Sequence, residues 1–332
     1  MTSTVPRQPV KLGDLIEGQT AAHLAVAADD LGWWQQQLYR GEDIVPTTGL
    51  QRALSKALER LGWLEPGTEG YRLTGEGYEI AYNRGFVRVA TRGWTPTFQQ
   101  VGVAATTGDM IPARTDPHAV ARGCTDIARR HPETLQAIAV RIAGDVHPGS
   151  TVDLGCADGG RLQIIGEFGL SEKLVGIDIE AGVIEAAQQR LAGLGFADRV
   201  RLRVGSVQPG EGLPAWLDDG IRRDVTTATS FNLMHQLATE SGGIDKVLGA
   251  WQEWFPSLRR LVIGDVVLSD GARWHDQPWF APTFEIYHEL TGVRVWRHEE
   301  YLDAFASLGY KVVQCFDKDH EIMVTWIAER AA

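Results

Sequence analysis

A glycine-rich stretch, VDLGCADGGR at residues 152–161, is the clearest chemical signal in the sequence. It follows an apolar run and precedes an amphipathic one, so we expect a turn between a strand and a helix. Glycine at such a turn lets the backbone approach a bound ligand closely. Asp178 ends the next strand-like run, LVGID. An acid at roughly 20 residues from the glycines can accept hydrogen bonds from both hydroxyls of a ribose.

Two histidines could act on a second ligand. His235 follows the strand-like run VTTATSF, at the edge where open α/β sheets bind their ligands. His288 lies further along, in the stretch TFEIYHELTGV. An imidazole can remove a proton from a hydroxyl group or bind a metal ion, and residue type alone leaves both chemistries open. His275, in RWHD, is a possible substitute metal ligand.

The hydrophobic pattern of the sequence, which predicts the helices and strands that position these residues, changes at Ser150. Beyond it, strand-like runs alternate with amphipathic helices, which predicts a mostly parallel sheet covered by helices on both faces. The last two runs, YKVVQCF and IMVTWIAE, have no helix between them and predict an antiparallel hairpin at the sheet edge. We therefore assign residues 146–332 to an α/β domain of the Rossmann-like class.

Residues 1–145 are mostly helical in pattern. Two amphipathic helices precede EPGTEGYRLTGEGYEIAYN, in which Pro66-Gly67 and Gly75 separate two short strand-like runs. Helix, helix and hairpin is the winged-helix order. A DNA-reading version would carry many basic residues on its second helix, whereas this helix has a single stripe, Arg52, Lys56 and Arg60. A winged-helix-like dimerisation and lid domain is the better interpretation.

Composition excludes several classes of protein. The 332 residues carry 32 Lys and Arg against 43 Asp and Glu, a net charge of −11, which argues against a nucleic-acid partner. The three cysteines have no spacing typical of a disulfide framework or a thiolate zinc site. The chain shows no secretory signal and no apolar run of the ~20 residues that a membrane span needs. We expect a cytoplasmic protein.

The glycine-rich stretch resembles the first motif of the class I S-adenosylmethionine (SAM) methyltransferases, acid-x-Gly-x-Gly-x-Gly, with Ala157 in the central glycine position. The resemblance implies that Asp153 and Gly155 lie near the methionine part of SAM and that Asp178 holds the ribose. Ser206 stands where the family usually has an acid that contacts adenine. The full set of predicted cofactor-binding residues is Asp153, Gly155, Ala157, Gly159, Asp178, Ser206 and Ser230.

The sequence around His288 resembles the metal-dependent α-keto acid C-methyltransferases of peptide-antibiotic biosynthesis, which have Phe-Glu and then His-acid-x-x-Gly-Val. The resemblance implies one metal ion, iron, on His235 and His288, and a metal-chelated enolate whose β-carbon attacks the SAM methyl group. It further implies a substrate pocket with Trp94, Arg114 and Val293. Gln236 replaces the acid that this family has beside the first ligand, so the identity of the base stays open.

The predicted function is therefore SAM-dependent C-methylation of the β-carbon of an α-keto acid, in natural-product biosynthesis. The alternative is a small-molecule O-methyltransferase with His235 as general base; these enzymes share a helical N-terminal dimerisation domain and have His-Asp where this chain has His235-Gln236. His235, Gln236 and Arg114 are the predicted catalytic residues. A homodimer through the N-terminal helices is expected from the resemblance.

Overall fold

The structure is a computed structural model that describes residues 11–130, 132–143, 149–167, 173–210, 213–268, 281–316 and 323–330. The predicted domain boundary at 145/146 and the candidate ligand His275 lie outside the described residues. Among those residues, no helix is both long and apolar enough to cross a membrane.

The N-terminal half is helical, as its apolar spacing predicts. Short π-helical turns, Gln36–Arg40 and Val89–Gly93, directly follow the helices that end at Gln35 and Arg88. The α-helices are α1 (Leu12–Asp30), α2 (Trp33–Gln35), α3 (Gly49–Arg60), α4 (Gly75–Tyr82), α5 (Arg84–Arg88), α6 (Thr95–Phe98), α7 (Val101–Thr107), α8 (Pro117–Ala128) and α9 (Pro132–Ala143).

A two-stranded hairpin follows α3, where the sequence predicts one. Strand β1 (Leu64–Pro66) pairs antiparallel with β2 (Tyr71–Leu73). The prediction of a second strand after Gly75 is wrong, because these residues form helix α4. Thr74 accounts for the difference: its hydroxyl accepts a hydrogen bond from the Gly77 N–H at 3.1 Å and so caps the first turn of the helix.

The C-terminal half contains a seven-stranded sheet in the order β5-β4-β3-β6-β7-β9-β8. The first five strands in this order are parallel, and β9 pairs antiparallel with both β7 and β8. The predicted edge hairpin is thus confirmed. The strands are β3 (Ser150–Leu154), β4 (Leu174–Asp178), β5 (Val200–Val204), β6 (Val225–Phe231), β7 (Arg260–Val266), β8 (Tyr310–Phe316) and β9 (Met323–Arg330).

Helices connect the parallel strands and pack against the sheet. Large aromatic side chains fill the core between them, and Tyr301 stacks on Trp326 with ring centroids 4.4 Å apart, both side chains being fully buried. The helices are α10 (Gly160–Glu167), α11 (Ala181–Gly193), α12 (Asp219–Asp224), α13 (Met234–Ser241), α14 (Ile244–Trp254), α15 (Ala281–Thr291) and α16 (His298–Ser307).

Helix α8 joins the helical half to the glycine-rich loop. Thr125 on α8 donates its hydroxyl hydrogen to Asp158 of the loop at 2.6 Å. The next residue, Asp126, forms a buried ion pair with Arg84 of α5, also at 2.6 Å. Removing one partner of a buried ion pair is costly, because the other charge is left without compensation. The pair therefore fixes α8 against the rest of the helical half.

Candidate active site

The glycine-rich loop adopts backbone conformations that favour glycine. Gly155 has φ of +79°, and a Cβ at this position would lie 2.4 Å from the Leu233 side chain. Ala157 also has a positive φ, +50°. For an alanine this left-handed conformation costs on the order of 1–2 kcal/mol. The Ala157 N–H donates to Asp178 Oδ2 at 3.0 Å, which helps to hold this conformation.

Asp178, at the end of β4, is positioned by two backbone donors. Its Oδ2 accepts from Ala157, and its Oδ1 accepts from the Glu180 N–H at 3.0 Å. These bonds orient the carboxylate, and its remaining lone pairs can accept hydrogen bonds from ribose hydroxyls.

A cavity of about 370 Å³ lies over this loop, and we call it the cofactor cavity. Helix α8 of the helical half forms one wall, including Cys124. Ser230, on β6, is fully buried, and its hydroxyl has no hydrogen-bond partner among the described residues. The predicted residues that line the cavity are Gly155, Ala157, Asp178, Ser206 and Gln236.

Asp153 is fully buried in β3. Its Oδ1 accepts a hydrogen bond from the Thr229 hydroxyl on β6 at 2.7 Å, and its Oδ2 lies 3.5 Å from Arg161 Nε. Burial raises the pKa of the Asp153 carboxyl, although Arg161 opposes the shift. These contacts join the strand before the loop to β6, the strand that leads to His235.

His235 lies just beyond β6, as predicted, and Asp265 holds it. The backbone N–H of His235 donates to Asp265 Oδ2 at 2.7 Å, and its ring Nδ1 lies 2.7 Å from Asp265 Oδ1. Because a carboxylate only accepts, Nδ1 carries a hydrogen, and in the neutral form of the ring Nε2 is the nitrogen with a lone pair. The Tyr301 hydroxyl and the Val266 N–H also donate to Asp265, at 2.9 and 2.8 Å.

Sequence reasoning missed Asp265. The residue is fully buried near the end of β7, in the run RLVIGDV. The available signal was a single acid near the end of the apolar run LVIGDV, because a buried carboxylate needs donors or a functional partner.

His288, on α15, is brought next to His235. The two ring centroids are 5.3 Å apart. The Nδ1–H of His288 donates to the Phe284 carbonyl at 2.8 Å, and its buried Nε2 has no hydrogen-bond partner within the described residues. Burial lowers the pKa of His288 to about 4, and the nearby His235 ring contributes to the shift. His288 is therefore a neutral imidazole at physiological pH, the form that binds metals.

The chemistry of this donor set fits a metal ion. Each Nδ1 is held by an oxygen acceptor, and in metal sites such bonds fix the tautomer so that Nε2 faces the ion. No group of three or more His, Cys, Asp or Glu side chains suited to a metal occurs in the part of the chain that the structure describes. His235 and His288 would thus supply two ligands and leave the other positions open to substrate or water.

Aromatic side chains surround His288 on the side of the helical half. Trp94 stacks on Tyr287 with centroids 4.6 Å apart, and Phe98 meets the edge of Tyr287 at 6.4 Å. Phe284 lies against the His288 ring at 3.9 Å. The structure therefore places the predicted pocket residue Trp94 against Phe284 and Tyr287, whose rings flank His288.

The other predicted substrate residues lie at the margins of this region. The side chain of Arg114 is exposed, and its backbone N–H donates to the Thr97 hydroxyl at 3.0 Å. Its neighbours Ala113 and Thr115 line the cofactor cavity. Val293 is half-buried in the segment after α15. Their roles stay predictions.

Solved methyltransferase structures share this fold along almost the whole chain. Human N-acetylserotonin methyltransferase, in complex with SAM, superposes with a TM-score of 0.57 at 14% identity, covering 100% of both chains. An O-methyltransferase from neocarzinostatin biosynthesis, in complex with SAM and 2-hydroxy-5-methyl naphthoic acid, gives 0.57 at 18% identity, with 99% of this chain and 100% of that chain covered. The protein has the class I methyltransferase fold.

No protein-family model matches the chain. The chain is 27% identical over 319 residues to the indolepyruvate C-methyltransferase of Streptomyces griseus, covering 90% of this chain and 88% of that protein. This match confirms the resemblance to α-keto acid C-methyltransferases. Together, the fold, the cofactor cavity and this relative define a SAM-dependent methyltransferase.

Proposed function

We propose that the protein transfers the methyl group of SAM to the β-carbon of an α-keto acid with an aromatic side chain. The observation that carries the proposal is the pairing of His235 with His288, whose ring centroids are 5.3 Å apart although the residues lie on different helices. The indolepyruvate relative supports the substrate class, because indolepyruvate is an α-keto acid with an aromatic group.

The proposed reaction removes one proton from the substrate and transfers one methyl group to it. The bond between C3 and hydrogen breaks and the proton passes to solvent, leaving the electron pair in an enolate. C3 then forms a bond to the methyl carbon, the carbon–sulfur bond of SAM breaks, and its electrons stay on sulfur in S-adenosylhomocysteine. Placing C3 in line with the sulfonium is the main task of the protein, because positioning replaces an encounter in solution.

His235 and His288 would hold the metal ion that the resemblance implies, through their Nε2 atoms. When bound, such an ion supplies a Lewis acid that stabilises negative charge on a keto acid as its β-carbon loses a proton. Asp265 and the Phe284 carbonyl keep the two rings in the tautomer with a free Nε2. Gln236 lines the cofactor cavity, and its amide has no titratable group, so it can position SAM or water but cannot be the base.

The aromatic cluster around His288 would bind the substrate's side chain. Trp94, Phe284 and Tyr287 are buried against one another and Phe98 packs on Tyr287, so an aryl group would contact the outer edge of this cluster, in the offset-stacked or edge-to-face manner that aromatic pairs favour. An aryl group seated there would place its keto acid end near the two imidazoles.

A second candidate is O-methylation of a phenol. The hydrogen bond between His235 and Asp265 favours it, because a buried carboxylate that orients an imidazole also stabilises the imidazolium formed when His235 removes a hydroxyl proton. In this reaction His288 has no chemical role.

A screen with labelled SAM tests the proposed function. Purified protein is incubated with aromatic 2-oxo acids and, in parallel, with phenols, while the bound metal is measured by elemental analysis. We expect label at C3 of an aryl 2-oxo acid and about one metal ion per chain. If only phenol oxygens are labelled, and the activity is the same after the metal has been removed by a chelator, the result would favour O-methylation over C-methylation.

We also propose a homodimer through the helical half. The start of α1 presents three apolar side chains, Leu12, Leu15 and Ile16, that are 72%, 62% and 59% exposed. An apolar helix face of this kind is covered in many oligomers. Light scattering should give twice the chain mass of 36.5 kDa, and the double substitution L15E/I16E should shift the mass toward the monomer. A monomeric wild-type protein would contradict the proposal.

A further inference from the structure

A segment without helix or strand, residues 108–116, runs along the rim of the cofactor cavity, and we call it the rim segment. It connects α7 to α8. Ala113 and Thr115 line the cavity, two positions apart, an arrangement typical of locally extended backbone. Both residues are also exposed, as is Arg114 between them. The rim segment therefore forms part of the boundary between the cofactor cavity and solvent.

A single buried hydroxyl holds the middle of the rim segment. Thr97, on α6, is fully buried. Its hydroxyl donates to the Arg114 carbonyl at 2.6 Å and accepts from the Arg114 N–H at 3.0 Å. Burial raises the pKa of Tyr287 on α15, and a hydrogen bond from Thr97 opposes the rise. Thr97 thus lies between the rim segment and the helix that carries His288.

The other attachments lie towards the two ends of the rim segment. The Ile111 N–H donates to the Leu290 carbonyl at 2.8 Å, and the Asp116 N–H donates to the Gly93 carbonyl at 2.9 Å. Ile111 is buried, whereas residues 112–115 are exposed. A stretch with few buried contacts opens locally at a small cost in free energy. Within the described residues, the two hydrogen bonds to Thr97 are therefore the main restraint on the stretch that lines the cavity.

We propose that the rim segment opens to let SAM enter and its product leave, and that the two hydrogen bonds between Thr97 and Arg114, which we call the latch, hold it closed. The latch joins protein groups, so it does not require bound SAM to form. A weaker latch therefore speeds entry and exit alike. Thr97 acts through Arg114 and is a positioning residue. The inference needs only SAM binding and does not depend on which acceptor is methylated.

Stopped-flow binding of S-adenosylhomocysteine tests the latch. T97V keeps the shape of the side chain and removes the hydroxyl. We expect T97V to raise both the association and the dissociation rate constants about tenfold, the effect of losing two modest hydrogen bonds, while their ratio stays within about threefold of wild type. T97S retains the hydroxyl and should keep both rate constants within about twofold of wild type.

T95V is the matched control. The Thr95 hydroxyl, on the same helix, donates to the Thr91 carbonyl rather than to the rim segment. T95V should leave both rate constants at their wild-type values. Thermal unfolding without ligand checks that each variant is folded. Unchanged rate constants in T97V, or a weaker affinity caused by faster dissociation alone, would show that Thr97 only shapes the cavity wall and would overturn the proposal.

Trypsin provides a second measurement that needs no substitution. Cleavage after Arg114 requires the rim segment to leave Thr97, because a protease acts on the opened form of a chain segment. At about ten times its dissociation constant, S-adenosylhomocysteine should slow this cleavage about tenfold, because the ligand favours the closed form. Cleavage after the exposed Arg60, at the end of α3, should not change. Equal rates of cleavage after Arg114 with and without the ligand would contradict the proposal.

Discussion

Replacing His288 with alanine should abolish metal retention and lower aryl 2-oxo acid methylation on the order of 10²–10³-fold, the loss typical of removing one preorganised group that stabilises developing charge. The physical reason is that the His288 ring is neutral and that its buried Nε2 has no hydrogen-bond partner in the part of the chain that the structure describes. Its removal leaves one imidazole, and a single imidazole does not retain a metal ion in competition with water ligands. Elemental analysis and initial rates at saturating SAM measure the two effects.

His235→Ala provides the comparison that separates the two chemistries. If the rings share an ion, both single variants lose the metal and most of the activity together, and the double variant loses little more. If His235 is a general base, His235→Ala loses turnover while His288→Ala stays close to wild type. His298→Ala, on α16, is the control for removing an imidazole from the same half of the protein.

SAM binding should survive both substitutions. Neither His235 nor His288 is among the residues that line the cofactor cavity, so the affinity for S-adenosylhomocysteine should stay within about threefold of wild type, as expected for substitutions without shared partners. Full metal content and full 2-oxo acid turnover in His288→Ala would remove the basis of the proposed function.

The fold was predictable because its signals are local. The alternation of apolar runs and amphipathic segments after Ser150 gave the sheet class, and the missing helix between the last two runs gave the edge hairpin of β8 and β9. The error at Gly75 came from a competing local signal, since a threonine cap at Thr74 outweighed the strand-like pattern that followed.

The candidate site was predictable only in part, because its contacts are long-range. The glycine-rich loop and Asp178 belong to one strand–helix–strand unit, so spacing alone could place them. Asp265 lies near the end of β7, and His235 follows β6. These strands are neighbours in the sheet, although two helices separate them in the sequence. The Trp94–Tyr287 stack joins the two halves of the chain, and periodicity carries no information about such a contact.

Asp265→Asn should lower activity on the order of 10²–10⁴-fold while leaving the fold intact, because it changes which imidazole nitrogen carries the hydrogen. Asp265 accepts hydrogen bonds from the His235 backbone and ring, from Tyr301 and from Val266. An asparagine offers one oxygen and one amino group in the same space. If the amino group faces Nδ1, the ring must accept there and carry its hydrogen on Nε2, which then can neither bind a metal nor take a proton.

The same substitution should weaken metal binding about 10–100-fold, the usual cost of removing a carboxylate that supports a histidine ligand. Tyr301→Phe is the matched control, since it removes one donor to Asp265 and leaves the carboxylate on His235; we expect a loss of less than about tenfold. NMR of 15N-labelled histidine measures the tautomer of His235 directly. A substitution that only destabilised the protein would not change this tautomer. The hydrogen bond between His235 and Asp265 would serve both C-methylation and O-methylation. Wild-type turnover and an unchanged His235 tautomer in Asp265→Asn would therefore contradict the role of Asp265 in either reaction.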